Sequence, residues 1–280
     1  MRRYVTCDVF TDQLFGGNPL AVVLDAEDLT TGQMQAVARE FNYSETTFVL
    51  PPKDPAHTAQ VRIFTPEGEL PFAGHPNVGT AWVLAREASR RGEATPARFL
   101  FEEEAGLVPV SASPGGGFEL MAPSMLKVGD PTSAETAAGL LGLVAGDVVG
   151  SPRTASVGLG FLMVELVSSQ ALGRVKPSAD YGGPHGGAIF AFTRDASRGF
   201  DLQARMFMNP AVEDPATGSA AAACVAYLCD GEALSLRIGQ GIEMGRPSLL
   251  LARAERQADG VRGFVGGGCV AMFEGLLPAL

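Results

Sequence analysis

One short phrase occurs twice in the chain, at residues 75–81 and again at residues 214–220. The first copy reads His-Pro-Asn-Val-Gly-Thr-Ala and the second reads Asp-Pro-Ala-Thr-Gly-Ser-Ala, and each leads into an apolar run. An Arg-x-Phe triplet precedes each copy, at residues 62–64 and 205–207. The copies lie 139 positions apart in a chain of 280 residues, about half its length. Coincidence among Gly, Ala and Pro is the alternative, but the matched positions favour two related halves.

Composition agrees with two folded domains of about 130 residues each. Apolar residues make up 46% of the chain and charged residues 19%, as in a soluble globular protein. The run at residues 218–229 is apolar on all sides, so we expect a helix that is buried all round. A sheet that curls about such a helix would bury it, and we expect one such helix in each half.

The net charge of −10 is spread without long runs of one sign. This argues against nucleic acids and anionic membranes as partners, because both need a basic face on the protein. The N-terminal residues become charged before a signal-peptide core could form, and no uncharged apolar run approaches the ~20 residues of a membrane helix. We therefore expect a cytoplasmic protein with no membrane contact.

Periodicity and turn residues predict the positions of the helices and strands. Helices are expected from 30 or 31 to about 41, from 78 to about 90, near 133–143 and at 218–229. Strands are expected near 4–10, 19–24, 44–50, 59–65, 98–103, 106–112, 117–121, 153–157, 160–166, 188–193, 202–207, 235–239, 248–254, 261–266 and 269–274. Residues 123–130 are predicted as the linker, and residues 181–187 as a Gly-rich loop.

The repeated phrase predicts an anion-binding site at each helix start. A helix that begins at Gly79-Thr80 or Gly218-Ser219 leaves its first amide N–H groups without an internal acceptor, and glycine lets a ligand approach the backbone. The helix dipoles and the hydroxyls of Thr80 and Ser219 would strengthen the attraction of a carboxylate. Two such starts that face one cleft would hold a small anionic substrate.

Three residues are candidates for acid/base catalysis. His75 and Asp214 head the two phrases, and Glu45 lies in a predicted strand among Thr, Val and Phe. Such groups can exchange protons near neutral pH when they are partly buried, as proton transfer at carbon requires. Two structural alternatives remain: Asp214 before proline would cap a helix well, and Glu45 could lie at a strand edge in water.

Motifs of several other enzyme classes are missing. The sequence has no Walker phosphate loop, no G-x-S-x-G serine elbow and no G-x-G-x-x-G segment in a strand-to-helix unit. His57, His75 and His185 do not have the spacing of a metal site, so we expect neither a metal nor another cofactor. The segment His185-Gly186-Gly187 is interpreted as a flexible loop. The cysteines form no C-x-x-C pair and are interpreted as buried reduced thiols: Cys7, Cys224, Cys229 and Cys269.

Taken together, these motifs resemble the phenazine-biosynthesis isomerase family, the PhzF-like proteins, over nearly the whole chain. The matching segments of the first half are Asp-Val-Phe-Thr at 8–11, Gly-Asn-Pro at 17–19, Ser-Glu-Thr at 44–46, Arg-Ile-Phe-Thr-Pro at 62–66 and Glu-Leu-Pro-Phe-Ala-Gly-His-Pro at 69–76. Those of the second half are Glu-Asp-Pro-Ala-Thr-Gly-Ser-Ala at 213–220 and Gln-Gly-Ile-Glu-Met-Gly-Arg-Pro-Ser at 240–248.

The resemblance implies an α+β fold of the diaminopimelate-epimerase type, in which two pseudo-symmetric halves each wrap a curled mixed sheet around a central helix. It implies an N-terminal half at 1–122 that a strand at about 270–280 completes, and a C-terminal half at 123–269. The active site is expected in the cleft between the halves. A homodimer is expected because the family is commonly homodimeric.

The resemblance also assigns roles to residues. In the phenazine enzyme a glutamate shuttles a proton during isomerisation of trans-2,3-dihydro-3-hydroxyanthranilate, and Glu45 matches that glutamate. His75 and Asp214 match supporting residues that serve either acid/base chemistry or substrate contact. Substrate-binding residues are expected at Asn18, Gly74, Gly79, Thr80, Gly218 and Ser219. Related epimerases use two facing cysteines, and neither repeated phrase contains one, which argues against two-thiol racemisation.

The sequence therefore predicts a cofactor-independent isomerase that moves a proton between carbons of a small carboxylate. Two alternatives remain open. One is an amino-acid-type epimerase or racemase that uses acid/base residues other than cysteine. The other is a non-catalytic protein that binds small carboxylates.

Overall fold

The computed structural model describes residues 2–178, 188–196, 199–208 and 212–279. The predicted Gly-rich loop at 181–187, with His185, lies outside these residues. Contacts within the chain divide it into two compact units, Met1–Leu120 with Gly266–Leu280, and Met121–Val265. Among the described residues, no helix has both the length and the apolar character that a membrane span requires.

The first unit starts with eight strands and two helices. They are β1 (Arg2–Val9), β2 (Asn18–Val23), α1 (Thr31–Phe41), β3 (Glu45–Leu50), β4 (Ala59–Phe64), β5 (Glu69–Leu70), α2 (Gly74–Arg90), β6 (Arg98–Glu103), β7 (Gly106–Ala112) and β8 (Phe118–Met121). Strand β2 pairs antiparallel with β1 and parallel with β3, and β4 pairs antiparallel with β3 and parallel with β6. The sheet is therefore mixed.

The second unit contains nine strands and three helices in its described part. They are β9 (Lys127–Pro131), α3 (Ala134–Leu140), β10 (Arg153–Ser156), β11 (Gly160–Glu165), α4 (Ser169–Gly173), β12 (Ile189–Thr193), β13 (Leu202–Met208), β14 (Val212–Asp214), α5 (Gly218–Leu228), β15 (Ala233–Gln240), β16 (Ser248–Gln257) and β17 (Gly260–Gly267). Its pairings are mixed as well, since β12 is parallel to β11 and antiparallel to β13.

The last strand, β18 (Cys269–Leu277), belongs to the first unit. It runs antiparallel to β1, with Thr6 opposite Phe273, so β1 lies between β2 and β18. The first unit is thus built from both ends of the described chain.

Each unit has one central helix. Helix α2 packs against β1, β2, β3 and β7, and α5 packs against β10, β11, β15 and β16. Nearly all of α5 is buried, as the run of small apolar residues predicts. The predicted α+β class, with mixed strands and few helices, is confirmed.

The two Arg-x-Phe triplets form the same structure twice. Arg62 on β4 makes a two-bond ion pair with Glu69 at 2.7 and 2.6 Å, and its guanidinium lies over a phenylalanine two residues on. Arg205 on β13 pairs in the same way with Glu213 at 2.8 and 2.7 Å, again over a phenylalanine two residues on. The internal repeat inferred from the sequence therefore extends to side-chain contacts.

Two predicted boundaries are wrong. Residues 127–131 of the predicted linker form β9, which pairs with β10. Helix α2 begins at Gly74, after an extended Ala73, and not near Val78. The earlier start is possible because Pro76 lies in the first turn, where its missing N–H would have no acceptor within the helix.

Candidate active site

Glu45 is placed by the end of α1. Thr30, one of the two predicted starts, is the N-cap of that helix, and its side chain and Gln33 cap each other's backbone N–H groups. Asn42 is the C-cap, in the left-handed conformation (φ 53°). The chain then enters β3 at Glu45, opposite Leu20 of the parallel strand β2. The carboxylate therefore sits on an inner strand, and the alternative of an edge position in water is wrong.

Glu45 and His75 form a buried pair. Glu45 Oε2 lies 3.3 Å from His75 Nε2, and the two side chains are only 17% and 7% exposed. His75 occupies the first turn of α2, and Glu45 is on the face of β3 that also carries Thr47. The structure thus brings together two of the three predicted acid/base residues.

Burial changes the acidity of Glu45. Removal of the carboxylate from water raises the pKa of Glu45 to about 7, while the Ser44 hydroxyl acts in the opposite direction. A carboxyl group with a pKa near neutrality is populated in both of its protonation states at physiological pH. It can therefore accept a proton and give it back without a large energetic penalty.

Asn18 lies beside this pair. It is the first residue of β2, it is buried, and the Ser44 hydroxyl donates a 2.8 Å hydrogen bond to its Oδ1. The preceding Gly17 has a positive φ of 61°, and a Cβ there would lie 2.3 Å from the carbonyl oxygen of Val9. Only glycine fits this turn, which leads the chain to Asn18.

Gly79 and Thr80 do not form a helix start, so the reason for predicting them as anion ligands is wrong. Both lie inside α2, where helix geometry directs backbone N–H groups to carbonyls four residues earlier. A Cβ on Gly79 would lie 2.5 Å from Leu20 Cδ2, so this glycine allows close packing of α2 on the sheet. The Thr80 hydroxyl is buried and lies 2.9 Å from the Thr47 hydroxyl.

Two buried polar residues near the start of α2 were not predicted. Asn77 is fully buried, and its Oδ1 accepts no hydrogen bond from any described residue. Glu103 at the end of β6 interacts with Asn77, and burial raises the pKa of Glu103 to about 8. Glu103 shares a strand face with Phe99 and Phe101, and that alternation was a sequence signal for a buried carboxyl group.

In the second unit, Asp214 ends β14 and accepts a 2.5 Å hydrogen bond from the Thr217 hydroxyl. Helix α5 begins at Gly218, as predicted, with Thr217 in the N-cap position. Asp214 therefore does not occupy the cap position that the structural alternative assigned to it.

The first amides of α5 are open. Within the described part of the chain, no acceptor receives the backbone N–H groups of Gly218 and Ser219. Gln240 Nε2 donates to the carbonyl oxygen of Asp214 at 2.7 Å, and the Ser248 hydroxyl donates to that of Pro215 at 2.9 Å. The carbonyl oxygens that precede α5 thus accept from side chains, and among the described residues no group occupies the two amides at the helix start, which suits these amides to an anion.

Two helix starts, at Gly79-Thr80 and at Gly218-Ser219, were predicted to face one cleft. The first of these is not a helix start, because α2 begins at Gly74. Whether Glu45, His75 and Asp214 act at one cleft stays a prediction. Gly74 is the first residue of α2 and directly precedes His75.

Metal and thiol chemistry find no support in the described chain. No group of three or more His, Cys, Asp or Glu side chains among the described residues could hold a metal ion. Burial raises the pKa of Cys7, Cys224 and Cys269, which disfavours the reactive thiolate.

Comparisons with known proteins give a consistent picture. The model of a family described as phenazine biosynthesis-like protein matches residues 7–275. An uncharacterized isomerase of Mesorhizobium japonicum is 38% identical over 272 residues, with 88% of each chain covered. The trans-2,3-dihydro-3-hydroxyanthranilate isomerase of Pseudomonas chlororaphis is also 38% identical over 272 residues, with 92% of each chain covered.

The fold agrees as well. The crystal structure of a PhzF family phenazine biosynthesis protein from Bacillus anthracis superposes with a TM-score of 0.87, at 23% identity and over 99% of both chains. At that identity the likeness shows the fold alone. The fold that the sequence motifs predict is confirmed.

Proposed function

The chain belongs to the family of phenazine biosynthesis-like proteins, and on this premise we propose that it is a cofactor-independent isomerase that moves a proton between carbons of a small carboxylate. The family predicted from the motifs is confirmed, and its relatives include enzymes named as isomerases. The name of the Pseudomonas relative makes trans-2,3-dihydro-3-hydroxyanthranilate the first substrate to test.

The observation that carries the proposal is the buried pair of Glu45 and His75. Glu45 Oε2 and His75 Nε2 are 3.3 Å apart, and burial raises the pKa of Glu45 to about 7. In the proposed reaction, ionised Glu45 removes a proton from one carbon, and the electron pair left behind delocalises into the substrate. Neutral Glu45 then returns the proton to another carbon, so the carboxylate is regenerated and no electron is gained or lost.

His75 supports this shuttle from the first turn of α2. Its Nε2 lies 3.3 Å from Glu45 Oε2, so a positive charge on the imidazole would stabilise the carboxylate while the proton is transferred. The two side chains are only 17% and 7% exposed, so few water molecules compete with the substrate for the carboxyl group.

The second unit contributes the other proposed residues. Asp214 is proposed as a further acid/base residue, oriented by the Thr217 hydroxyl. The open amides of Gly218 and Ser219 at the start of α5 are suited to the carboxylate of the substrate, because a helix N-terminus attracts negative charge. Asn18 and Gly74 are proposed as substrate contacts beside Glu45 and His75.

Three further parts of the proposal rest on the resemblance and the sequence. We propose a homodimer, a cytoplasmic location and the division into two halves of related structure. Sedimentation of the purified protein tests the first of these directly.

The decisive experiment is Glu45→Gln, assayed by incorporation of deuterium from D2O into trans-2,3-dihydro-3-hydroxyanthranilate. Wild type is expected to incorporate deuterium and to isomerise the substrate, and Glu45→Gln is expected to lose both by at least about 100-fold. Glu40→Gln is the matched control, since Glu40 is an exposed residue of α1. Equal exchange in wild type and Glu45→Gln would remove Glu45 from the mechanism.

A non-catalytic carboxylate-binding protein gives a different result. It would be stabilised thermally by the substrate while showing neither exchange nor turnover. Wild-type protein with that behaviour would refute the proposed isomerase.

A further inference from the structure

Gln240 is the last residue of β15, and its fully buried side chain reaches the segment that precedes α5. Its Oε1 accepts a hydrogen bond from the backbone N–H of Thr217 at 3.2 Å. Its Nε2 donates to the carbonyl oxygen of Asp214 at 2.7 Å and to the Thr217 hydroxyl at 3.0 Å. A single side chain thus satisfies three groups between Asp214 and α5.

The orientation of this amide follows from its partners. With the amide reversed, Oε1 would face the carbonyl oxygen of Asp214, and the NH2 group would face the N–H of Thr217. Both contacts would be repulsive for this fully buried amide, so only one orientation satisfies all partners. The amide hydrogen that points at the Thr217 hydroxyl is therefore fixed.

The fixed amide determines where the Thr217 hydroxyl points. Because Thr217 Oγ1 accepts from Gln240 Nε2, its single hydrogen is left for another acceptor. Asp214 Oδ2 lies 2.5 Å away and receives it. The chain of hydrogen bonds thus runs in one direction, from Gln240 through Thr217 to Asp214, and a bond donated to a carboxylate stabilises its ionised form.

The turn after Gln240 packs closely against the segment that precedes α5. Gly241 has a positive φ of 72°, and a Cβ there would lie 2.6 Å from the carbonyl oxygen of Pro215. The Ser248 hydroxyl donates to that same carbonyl at 2.9 Å. The carbonyls of Asp214 and Pro215 thus both accept hydrogen bonds from side chains next to the start of α5.

We propose that Gln240 is a positioning residue for the reaction, which directs the Thr217 hydroxyl to Asp214 and keeps the start of α5 open to the substrate. This inference rests on the proposed function, because it assigns Asp214 a part in the isomerisation. Gln240 itself touches no reacting atom in this scheme.

Four variants test it. Gln240→Glu keeps the size of the side chain and the oxygen that accepts from the Thr217 N–H. It replaces the NH2 group that faces the Thr217 hydroxyl and the Asp214 carbonyl oxygen with a second oxygen, which accepts. The Thr217 hydroxyl is then expected to turn to the introduced carboxylate and leave Asp214. Thr217→Val removes the hydroxyl without touching Gln240, and Thr217→Ser restores it. Gln203→Met is the matched control, because Gln203 is a buried glutamine of the same unit whose amide donates to Glu243.

Deuterium incorporation and isomerisation of trans-2,3-dihydro-3-hydroxyanthranilate give the kinetic result. We expect kcat to fall about 10- to 100-fold in Gln240→Glu and Thr217→Val, the factor that one hydrogen bond to a charged group provides. Thr217→Ser and Gln203→Met are expected to stay within about threefold of wild type. Both changes interrupt the same series of hydrogen bonds from Gln240 to Asp214. The Gln240→Glu/Thr217→Val double variant is therefore expected to be no slower than the slower single variant.

Crystal structures of Gln240→Glu and Thr217→Val provide a result that does not depend on activity. In Gln240→Glu the bond from the Thr217 hydroxyl to Asp214 is expected to be lost. Retention of that bond, losses that multiply in the double variant, or an equal loss in Gln203→Met would each overturn the role of Gln240. Inactive wild-type protein would instead refute the proposed function, and the crystal structures would still decide whether Gln240 directs Thr217.

Discussion

Glu45 Oε2 and His75 Nε2 lie 3.3 Å apart, although one residue starts strand β3 and the other lies in the first turn of helix α2. The contact depends on α2 beginning at Gly74, because a start near Val78 would leave His75 in the preceding loop. The earlier helix start thus fixes the histidine against the carboxyl group. It places the two candidate acid/base residues of the first unit on regular secondary structure.

The pH dependence of the reaction is the first prediction. Burial raises the pKa of Glu45 to about 7, and the proposed cycle begins with its ionised form. We therefore expect kcat/KM to rise about tenfold per pH unit below pH 7 and to level off above it. Initial rates between pH 5 and 9 measure this rise, and a profile that falls through pH 7 would contradict the assigned order of proton transfer.

Glu103 provides a prediction on stability. Burial raises the pKa of Glu103 from 4.5 to about 8, so this carboxyl group is neutral in the folded protein at pH values where it is ionised in the unfolded chain. The resulting loss of stability is absent below pH 4.5, grows as the pH rises, and is complete above about pH 8. Glu103→Gln should remove it, with a gain on the order of 3 kcal/mol at pH 9.

Urea unfolding of the Glu103→Gln variant and wild type at pH 5 and pH 9 measures this gain. The variant keeps the size of the side chain and an oxygen that can accept from Asn77, as the carboxyl group of Glu103 does. Glu104→Gln, at the exposed neighbouring position, should leave the pH dependence unchanged. A gain that is equal at the two pH values would show that the carboxyl group does not carry the effect.

Gly79→Ala tests whether this glycine serves packing. An added Cβ would lie 2.5 Å from Leu20 Cδ2 and 2.7 Å from Val9 Cγ2, so side chains of the sheet would have to move. We expect a loss of about 1–3 kcal/mol in the free energy of unfolding and little change in KM. Gly32→Ala is the matched control, because a Cβ on Gly32 of α1 meets nothing within 4 Å. A large rise in KM without loss of stability would contradict the packing role and support the original prediction that Gly79 contacts the substrate.

The repeated ion pairs provide an internal comparison. Arg205 is largely buried, and besides Glu213 it donates to the carbonyls of Leu172 and Val175. Arg205→Met should therefore lower the free energy of unfolding by about 3–5 kcal/mol, because the Glu213 carboxylate and the two carbonyl oxygens lose their donor. Arg62→Met breaks the same type of pair in a more exposed place and should cost no more than about 1 kcal/mol. Urea unfolding measures both, and equal losses would show that burial does not set the difference.

The sequence was informative where the signal was local. Thr30 and Gln33 form the cap that a threonine before a helical period indicates, and the run of small apolar residues from Gly218 onward marks α5 as a buried helix. The start of α2 was predicted too late, because Pro76 is accommodated in the first turn of the helix. Glu103 was missed, although the alternation with Phe99 and Phe101 was visible in the sequence.

The contacts of Gln240 could not be read in this way. Its partners Asp214 and Thr217 lie 26 and 23 positions away, and nothing in local periodicity indicates which buried glutamine will reach them. Such contacts depend on how strands and turns meet after folding. The identity of the catalytic candidates was therefore more predictable than the groups that orient them.

The pairing of β1 with β18 has a consequence for biosynthesis. Thr6 and Phe273 are joined across the sheet although 267 positions separate them in the chain. During synthesis β1 is made long before β18. The edge of β1 that pairs with β18 therefore stays unpaired until the second unit and β18 have been synthesised. Release of a truncated chain that lacks β18 would therefore leave a permanent strand edge, which is the kind of surface on which nascent chains aggregate.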